Sequence, residues 1–511
     1  MISRIHSSIL QGIDAIPGEV EADVSMGEEG KVSLVGLADA AVRESISRIQ
    51  SALKNSGYRW PGPKVTINLA PADVKKDSSA FDLPIAIASM VAGGMLNSEK
   101  IDDYIFIGEL ALDGRVRPIR GALATAMMAA REGKRGLVVP AENAAEAAVV
   151  EEVEVIPVGF LTEAVGFLTD ELPIDPREVD VEALFDASDA PGLDFADVRG
   201  QESVKRALTI AAAGHHNILM LGPPGSGKTM LAKRIPGVLP PLTPEESLET
   251  TRVYSARGML KAGESLINIR PVRTPHHSSS SAALIGGGAI PQPGEVSLAH
   301  HGVLFLDEFP EFPRPTLEMI RQPLEDGCVT IPRVHSTLRF PANFMLVAAM
   351  NPCPCGYYTD PKRTCKCGQA AVERYLSRIS GPLIDRIDIH VEVPPVPWKE
   401  LRSKTDGLSS QQMRQQVVAA RELQHRRFNN GKVSTTTNAV MSPRQVRQFC
   451  SLDEAGEVLL KQAMNELGLS ARAHDKVLRI SRTIADLEHS QDIQQHHLAE
   501  AIQYRRLDRN L

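Results

Sequence analysis

The spacing of hydrophobic and polar positions changes character along the chain, and each change predicts a different kind of element. Residues Val20 to Val35 alternate loosely, as strands do. Val42, Ile46, Ile49 and Leu53 then recur at helical spacing, predicting one apolar face on a helix from Asp39 to Asn55. Lys64 to Leu69 is a strand, Asp82 to Met95 a buried helix, and Tyr104 to Leu112 a strand running into an Asp113-Gly114 turn. Two alanine-rich helices follow, Gly121 to Arg131 and another after the short buried strand Gly136 to Pro140. Compact apolar runs at Asn217 to Leu221, Val303 to Leu306, Leu346 to Met350 and Ile387 to Val393 predict buried strands of an α/β sheet. Beyond residue 413 the pattern is helical, with Leu459, Met464, Leu467 and Leu469 apolar. A second helix there, His474 to Leu487, carries a stripe of Val477, Leu478, Ile480, Ile484 and Leu487.

Composition changes this picture in two places. The net charge of −7 hides a stretch, residues 151–200, with fourteen Asp or Glu against two Lys or Arg, while residues 411–511 carry fifteen basic against eleven acidic side chains. The acidic segment 169–192, rich in Asp, Glu and Pro, reads as a linker, and 396–412 as a second one. The basic remainder is compatible with nucleic acid, though as a weak signal. Four of the six cysteines are bunched between positions 353 and 367, a pattern unlike a disulfide scaffold. No run of about 18 apolar residues occurs, and the first residues, MISRIHSSIL, form no apolar leader. A cytoplasmic protein is the expectation.

The chemistry is carried by Gly222, Pro223, Pro224, Gly225, Ser226, Gly227, Lys228 and Thr229. This G-x-x-x-x-G-K-T pattern lies between a predicted strand and a predicted helix, the setting in which it binds phosphates. Its backbone N–H groups close around phosphate oxygens, Lys228 reaches the terminal phosphates and the Thr229 hydroxyl holds Mg²⁺. ATP with Mg²⁺ is the expected ligand. Gly302-Val-Leu-Phe-Leu-Asp-Glu308 supplies the acids at a strand's carboxyl end: Asp307 for the Mg²⁺ shell, Glu308 to polarise the attacking water. Asn351, ending a further strand, is placed to position that water. Arg386, just before the strand at Ile387, is placed to reach a γ-phosphate held by a neighbouring subunit; pairing with Asp385 or Asp388 is the alternative. Arg472, at the start of the helix His474 to Leu487, is placed to fold over the nucleotide.

Three further segments lack a single reading. Arg273-Thr-Pro-His-His-Ser-Ser-Ser-Ser281 and the glycines at 286–288 form a long excursion. Arg273, His276 and His277 suit phosphate contacts, with metal ligation by the histidine pair or a plain surface loop as alternatives. Glu325 to Pro341 predicts a β-hairpin, with Val329 and Ile331 on one arm and Leu338 and Phe340 on the other. Arg333, His335 and Arg339 near its tip are candidates to grip DNA. Cys353, Cys355, Cys365 and Cys367 suggest a small structural Zn²⁺ site, with reduced thiols as the alternative.

Two resemblances complete the reading. Asn68 to Pro84 and Gly108 to Gly114 resemble the Lon-protease-type (S5 domain 2-like) α+β fold. That family's serine slot falls on Ser78 or Ser79, but Ala126 stands where its activating lysine would be, so residues 1–168 are expected to be a non-catalytic scaffold. Asp197-Val-Arg-Gly-Gln-Glu-Ser203 resembles the adenine-contacting start of an AAA+ module. The order of parts, with Thr274 to Gly287, Met350 to Gly356 and Ser380 to Asp388, resembles the ComM/YifB family of magnesium-chelatase-like ATPases nearly end to end. The resemblance implies a Lon-like domain (1–168), an AAA+ P-loop α/β core (193–396) and a C-terminal helical lid (413–511). It makes Asn351 the sensor-1 residue, Arg386 the trans-acting arginine finger and Arg472 the sensor-2 arginine. It further implies a homo-oligomeric, hexameric ring acting as a DNA helicase in branch migration, on branched or single-stranded DNA. A metal-insertion motor and an ATP-dependent peptidase or remodeller are the alternatives, the first disfavoured by the Lon-like domain and the second by Ala126.

Overall fold

Strand β1 (Ile2–Gln11), which the hydrophobic pattern does not announce, pairs antiparallel with β2 (Asp14–Ser25) from Ile2 opposite Asp23 to Gln11 opposite Asp14. Its inward positions are Ser3, Ile5, Ser7 and Ile9. Half of the buried face is serine, which blurs the alternation, and Ser3 is accommodated by donating to the Ala88 carbonyl at 2.7 Å. The computed structural model describes residues 2–25, 31–37, 40–74, 76, 79–186, 192–288, 290–332, 337–358, 363–401, 407–429 and 437–505.

The first sheet adds β3 (Lys31–Val35) and β4 (Lys64–Ala70) in the order β1-β2-β4-β3, with α1 (Ala40–Asn55) burying Val42, Ile49 and Leu53 and with α2 (Asp82–Ala92) sunk in the same core. The strand expected from Tyr104 to Leu112 is broken. Only β5 (Tyr104–Phe106) joins a second, parallel sheet. At Gly108 the amide turns instead to the Ala80 carbonyl, and Glu109 and Leu110 pair with Val116 and Arg117. The second sheet is completed by β6 (Gly136–Pro140) and β7 (Glu154–Val158), with α3 (Ala122–Arg131) and α4 (Leu161–Leu168) packed near it. The acidic stretch that follows is not bare linker: Val181–Asp186 is a helical turn, and the Leu184 carbonyl accepts from the Asn268 side chain at 2.7 Å.

The central unit is built on five parallel strands. After α5 (Glu202–Gly214) come β8 (Ile218–Leu221), α6 (Lys228–Ala232), α7 (Pro244–Arg257), β9 (Val272–Arg273) and β10 (Val303–Leu306). The hairpin strands β11 (Cys328–Pro332) and β12 (Thr337–Pro341) precede β13 (Met345–Met350) and β14 (Ile389–Glu392). The sheet order is β9-β10-β13-β8-β14, so the strand ahead of the phosphate loop sits between β13 and β14. Ile218 to Leu221, Val303 to Leu306 and Met345 to Met350 are apolar throughout because the parallel sheet has both faces covered. Helix α7 starts at a capping box: Thr243 Oγ1 accepts from the Glu246 N–H and Glu246 Oε2 from the Thr243 N–H, both at 3.2 Å.

The last unit is helical: α8 (Ser410–Asn429), α9 (Glu454–Leu467), α10 (Ala471–Leu487) and α11 (Gln495–Gln503), with the shorter Pro443–Phe449 between the first two. Helix α10 buries Val477, Leu478, Ile480 and Ile484 against the same core as α5. It is tied to the sheet by Lys476 Nζ, 2.9 Å from Asp388 Oδ1. Burial opposes the charge on Asp388, but Lys476 and His216 beside it outweigh that and hold its carboxyl below the usual carboxylate range.

Candidate nucleotide site and its surroundings

The phosphate loop leaves β8 with Gly225 and Gly227 at φ 78° and 92°, left-handed backbone that side-chain-bearing residues avoid. That geometry turns successive N–H groups inward. Lys228 is buried, and burial lowers its pKa. Its Nζ donates to the carbonyls of Gly222 (2.7 Å) and Pro223 (3.0 Å) and to Asn351 Oδ1 (3.1 Å). An ammonium closing the loop onto its own carbonyls is poised to trade those acceptors for phosphate oxygens. The buried Ser226 hydroxyl lacks a hydrogen-bond partner, a polar vacancy suited to a ligand oxygen.

Strands β10 and β13 bring the remaining groups alongside. Asp307 Oδ2 accepts from Thr229 Oγ1 at 2.6 Å, and Asp307 Oδ1 from the Glu308 N–H at 2.9 Å. A hydroxyl and a carboxylate facing each other beside the phosphate loop are the hard oxygen donors that Mg²⁺ takes, so the residues fit that ion. Glu308 has a left-handed backbone (φ 50°), which costs a non-glycine residue about 1–2 kcal/mol. Lys228, Thr229, Asp307 and Asn351 thus converge from three strand ends. Next to them, Gln201 Nε2 donates to the Ser226 carbonyl (2.8 Å) and the Pro394 carbonyl (3.1 Å). A cavity of about 640 Å³, lined by Arg199 to Ser203, Pro394 to Pro397 and Gly407, opens beside this contact and is large enough for a nucleobase.

Other sequence candidates lie elsewhere. Arg386 is engaged within its own chain, by the Glu325 carboxylate and the Pro382 carbonyl. Neither Asp385 nor Asp388 is that partner. Arg472 is exposed at the start of α10. Arg273 is committed to Glu295 by two hydrogen bonds, at 2.6 and 2.9 Å, and is not free for a phosphate. His276 is exposed and His277 half-buried. The hairpin has the expected register, Val329 opposite Phe340 and Ile331 opposite Leu338. Arg339 is not near the tip: it stands in mid-arm, exposed, and its guanidinium reaches back to Cys328 Sγ at 3.2 Å. Arg333 and His335 lie outside the described residues, as does Ser78. Ser79 donates to Glu109 and Ala126 is fully buried.

The four cysteines do come together. Sγ of Cys353 is 3.4 Å from that of Cys355 and 3.7 Å from that of Cys365, the last two are 3.6 Å apart, and with Cys367 all four lie within 4.8 Å. Sulfurs around a tetrahedral zinc stand about 3.8 Å apart, given bonds of about 2.3 Å, so the set fits that ion. Backbone N–H groups of Tyr357 and Lys366 draw the Cys355 thiol down to about 6, whereas the neighbouring cysteines push Cys365 and Cys367 up, as thiols crowded together without a countercharge do. The cluster also touches the phosphate loop: a Cβ on Gly356 would stand 2.4 Å from Pro224 Cδ.

Sequence reasoning missed the partners that are distant along the chain. Glu325 has no motif to mark it, and nothing in the spacing of His277 points to Glu308, whose Oε2 lies 3.1 Å from His277 Nδ1. Two clusters also escaped notice, Glu249 with His300 and His301, and Glu488 with His496 and His497. In each, one histidine Nδ1 accepts a backbone N–H (His300 from Asn343, His497 from Gln494). That leaves the proton on Nε2, which faces the carboxylate. Both are hydrogen-bonded histidine–carboxylate clusters.

Comparisons with known proteins match the chain along most of its length. The family model described as "Magnesium chelatase, subunit ChlI" matches residues 194–401, "Subunit ChlI of Mg-chelatase" matches 20–143 and "Magnesium chelatase, subunit ChlI C-terminal" matches 407–505. The first unit therefore does not by itself set the chain apart from chelatase subunits. The chain is 43% identical to competence protein ComM of Haemophilus influenzae and 42% identical to the uncharacterized protein YifB of Escherichia coli, in each case over 100% of this chain and 98% of the relative. Likeness to the magnesium-chelatase 67 kDa subunit of Chlorobaculum parvum is 27% over 160 residues, 31% of this chain and 23% of that subunit.

Proposed function

The chain belongs to the ComM/YifB family of magnesium-chelatase-like ATPases, and from that premise we propose that it is an ATP-driven ring motor that moves along or remodels DNA. The observation that carries the ATPase reading is the convergence of Lys228, Thr229, Asp307 and Asn351 at adjoining strand ends. Lys228 and the loop amides bind the phosphates. Thr229 and Asp307 would hold Mg²⁺, which when bound offsets phosphate charge. Glu308 takes the proton of the attacking water as its oxygen bonds to the γ-phosphorus and the bond to the ADP oxygen breaks. Arg386 completes the site of the next protomer in a ring, by preference a hexamer. Cys353, Cys355, Cys365 and Cys367 would hold zinc as a structural pin, since four thiolates leave no open position for catalysis.

Full-length likeness to a protein named for competence, against partial likeness to a chelatase subunit, favours DNA as the substrate. A second reading, a motor for metal insertion into a tetrapyrrole, draws support from the descriptions of the three family models. ATP turnover with and without single-stranded, duplex and branched DNA separates them: acceleration by DNA is expected, and indifference to every oligonucleotide removes the DNA reading.

A further inference from the structure

At the end of the central sheet opposite the phosphate loop, the segments that lead into β9, β10 and β13 meet helix α8 around a small cavity. Its volume is about 30 Å³, room for one water-sized particle. Its walls bring together His215, Arg270, His301 and Asn343 from the central unit with Arg421 and Thr437 from the helical one. Arg270 is neutralised there. Its guanidinium lies 2.7 Å from Glu246 Oε2 and donates to the carbonyls of Pro240 and His301, both at 2.6 Å. Arg421 is not. One of its terminal nitrogens donates to the Ala212 carbonyl at 2.9 Å, but the carboxylate that acts on it, Glu246, is taken up by Arg270. Among the described residues, Arg421 Nε and His215 Nε2 are both shielded from solvent without a hydrogen-bond partner. Burial, with Arg270 beside it, pulls the Arg421 guanidinium down to about 9. Burial, with Arg421 and Arg270 nearby, keeps the His215 ring neutral.

We propose that this cavity binds one small monovalent anion, a halide such as chloride, held between the central sheet and the helical unit by Arg421 and His215. A cation withdrawn from water without a countercharge is costly, and a bound anion offsets that cost. Two guanidinium groups against one carboxylate leave the cavity wall with one positive charge in excess, which a single monovalent anion balances. A neutral imidazole carries one N–H, and an acceptor in the cavity places it on Nε2. The same excess of positive charge excludes a metal cation, and the volume excludes phosphate, which has four oxygens to seat. Arg421 stands on α8 and His215 closes the end of α5, so the ion ties the helical unit to the sheet. The site lies away from the phosphate loop and is independent of the ATPase and DNA readings.

The test uses the full-length protein, with thermal unfolding followed as chloride replaces gluconate at constant ionic strength. That exchange leaves screening unchanged, and gluconate is too large to enter. The Tm is expected to rise and saturate, by about 3 °C once chloride reaches tenfold its Kd. Arg421→Met keeps the length of the side chain and loses the cation, and its Tm should not depend on chloride. A Tm of the unmodified protein that ignores the exchange overturns the proposal. So does a chloride-dependent rise that persists in Arg421→Met, which assigns the ion to another place, the phosphate loop included. If that variant does not fold, crystals of the unmodified protein soaked in bromide decide. An anomalous peak in the cavity, in contact with Arg421 Nε and His215 Nε2, is expected. Peaks confined to the protein surface mean an adventitious ion only, and overturn the proposal.

Discussion

The guanidinium of Arg386 is bound to Glu325 of its own chain, and its Nε is buried without a partner. It is not among the groups that converge on the chain's own phosphate loop. An arginine so placed serves the same molecule as structure, or a neighbouring molecule's nucleotide as the missing cation. Arg386→Ala is expected to lower ATP turnover by about 10³-fold, as removal of an arginine finger does, with nucleotide binding near normal. Turnover at the unmodified rate would show that no site is shared between protomers.

Lys228 and Glu308 should fail in different ways. Lys228→Ala removes the cation that holds the loop and is expected to abolish ATP binding in equilibrium titration. Glu308→Gln retains shape and loses the base, so ATP should bind and stay intact. Nucleotide recovered from that variant as ADP would remove Glu308 from the hydrolytic role.

The cysteine cluster yields a prediction with a readout at the active site. Purified protein is expected to contain zinc, and Cys365→Ser to lose it, with a lower Tm. Because Gly356 abuts Pro224, the same variant should raise the KM for ATP more than it lowers kcat. Metal analysis that finds no zinc in protein purified without chelator refutes the site.

Replacing Arg333 and Arg339 together tests the hairpin as a DNA contact. Each phosphate contact contributes about 0.9 to the slope of log K against log salt, so the double Ala variant should bind DNA more weakly with a slope flatter by about 2 at most. An unchanged slope assigns DNA binding to another surface.

Stability should fall on mild acidification. Burial pushes the pKa values of His215 and His216 below the ordinary histidine value, so below about pH 6.5 the unfolded chain takes up protons that the folded chain refuses. Protons bound preferentially by the unfolded state reduce stability as pH falls. The Tm is expected to drop between pH 7.5 and 5.5, and less steeply in His215→Gln. Equal slopes in the two proteins would assign the acid sensitivity to other groups.

How much of this was legible in the sequence follows from the range of the interactions. The phosphate loop, the acids after β10 and the capping box at Thr243 are local: each is a few consecutive residues whose spacing dictates their geometry. Helix α1 was equally plain, because its one-sided burial imposes a period. Strand β1 was hidden by serines at inward positions, and the break at Gly108 by a hydrogen bond to Ala80, which no pattern around residue 108 discloses. The pairs His277 with Glu308 and Arg386 with Glu325 join residues that only the folded sheet brings together. Arg273 illustrates the converse. Its sequence context suggested a free cation, and Glu295 neutralises it.

The turn between β1 and β2 lies on the hairpin of the central unit: Ile13 shares a core with Phe340, and Gly12 faces the rings and methyls of Phe340 and Leu338. The first unit is held at a second place as well, on α7: the Gly121 N–H donates to the Ser255 carbonyl at 3.2 Å, and Asp14 pairs with Arg252. A body seated at two separated places resists rotation about either one, so residues 1–168 brace the hairpin against α7.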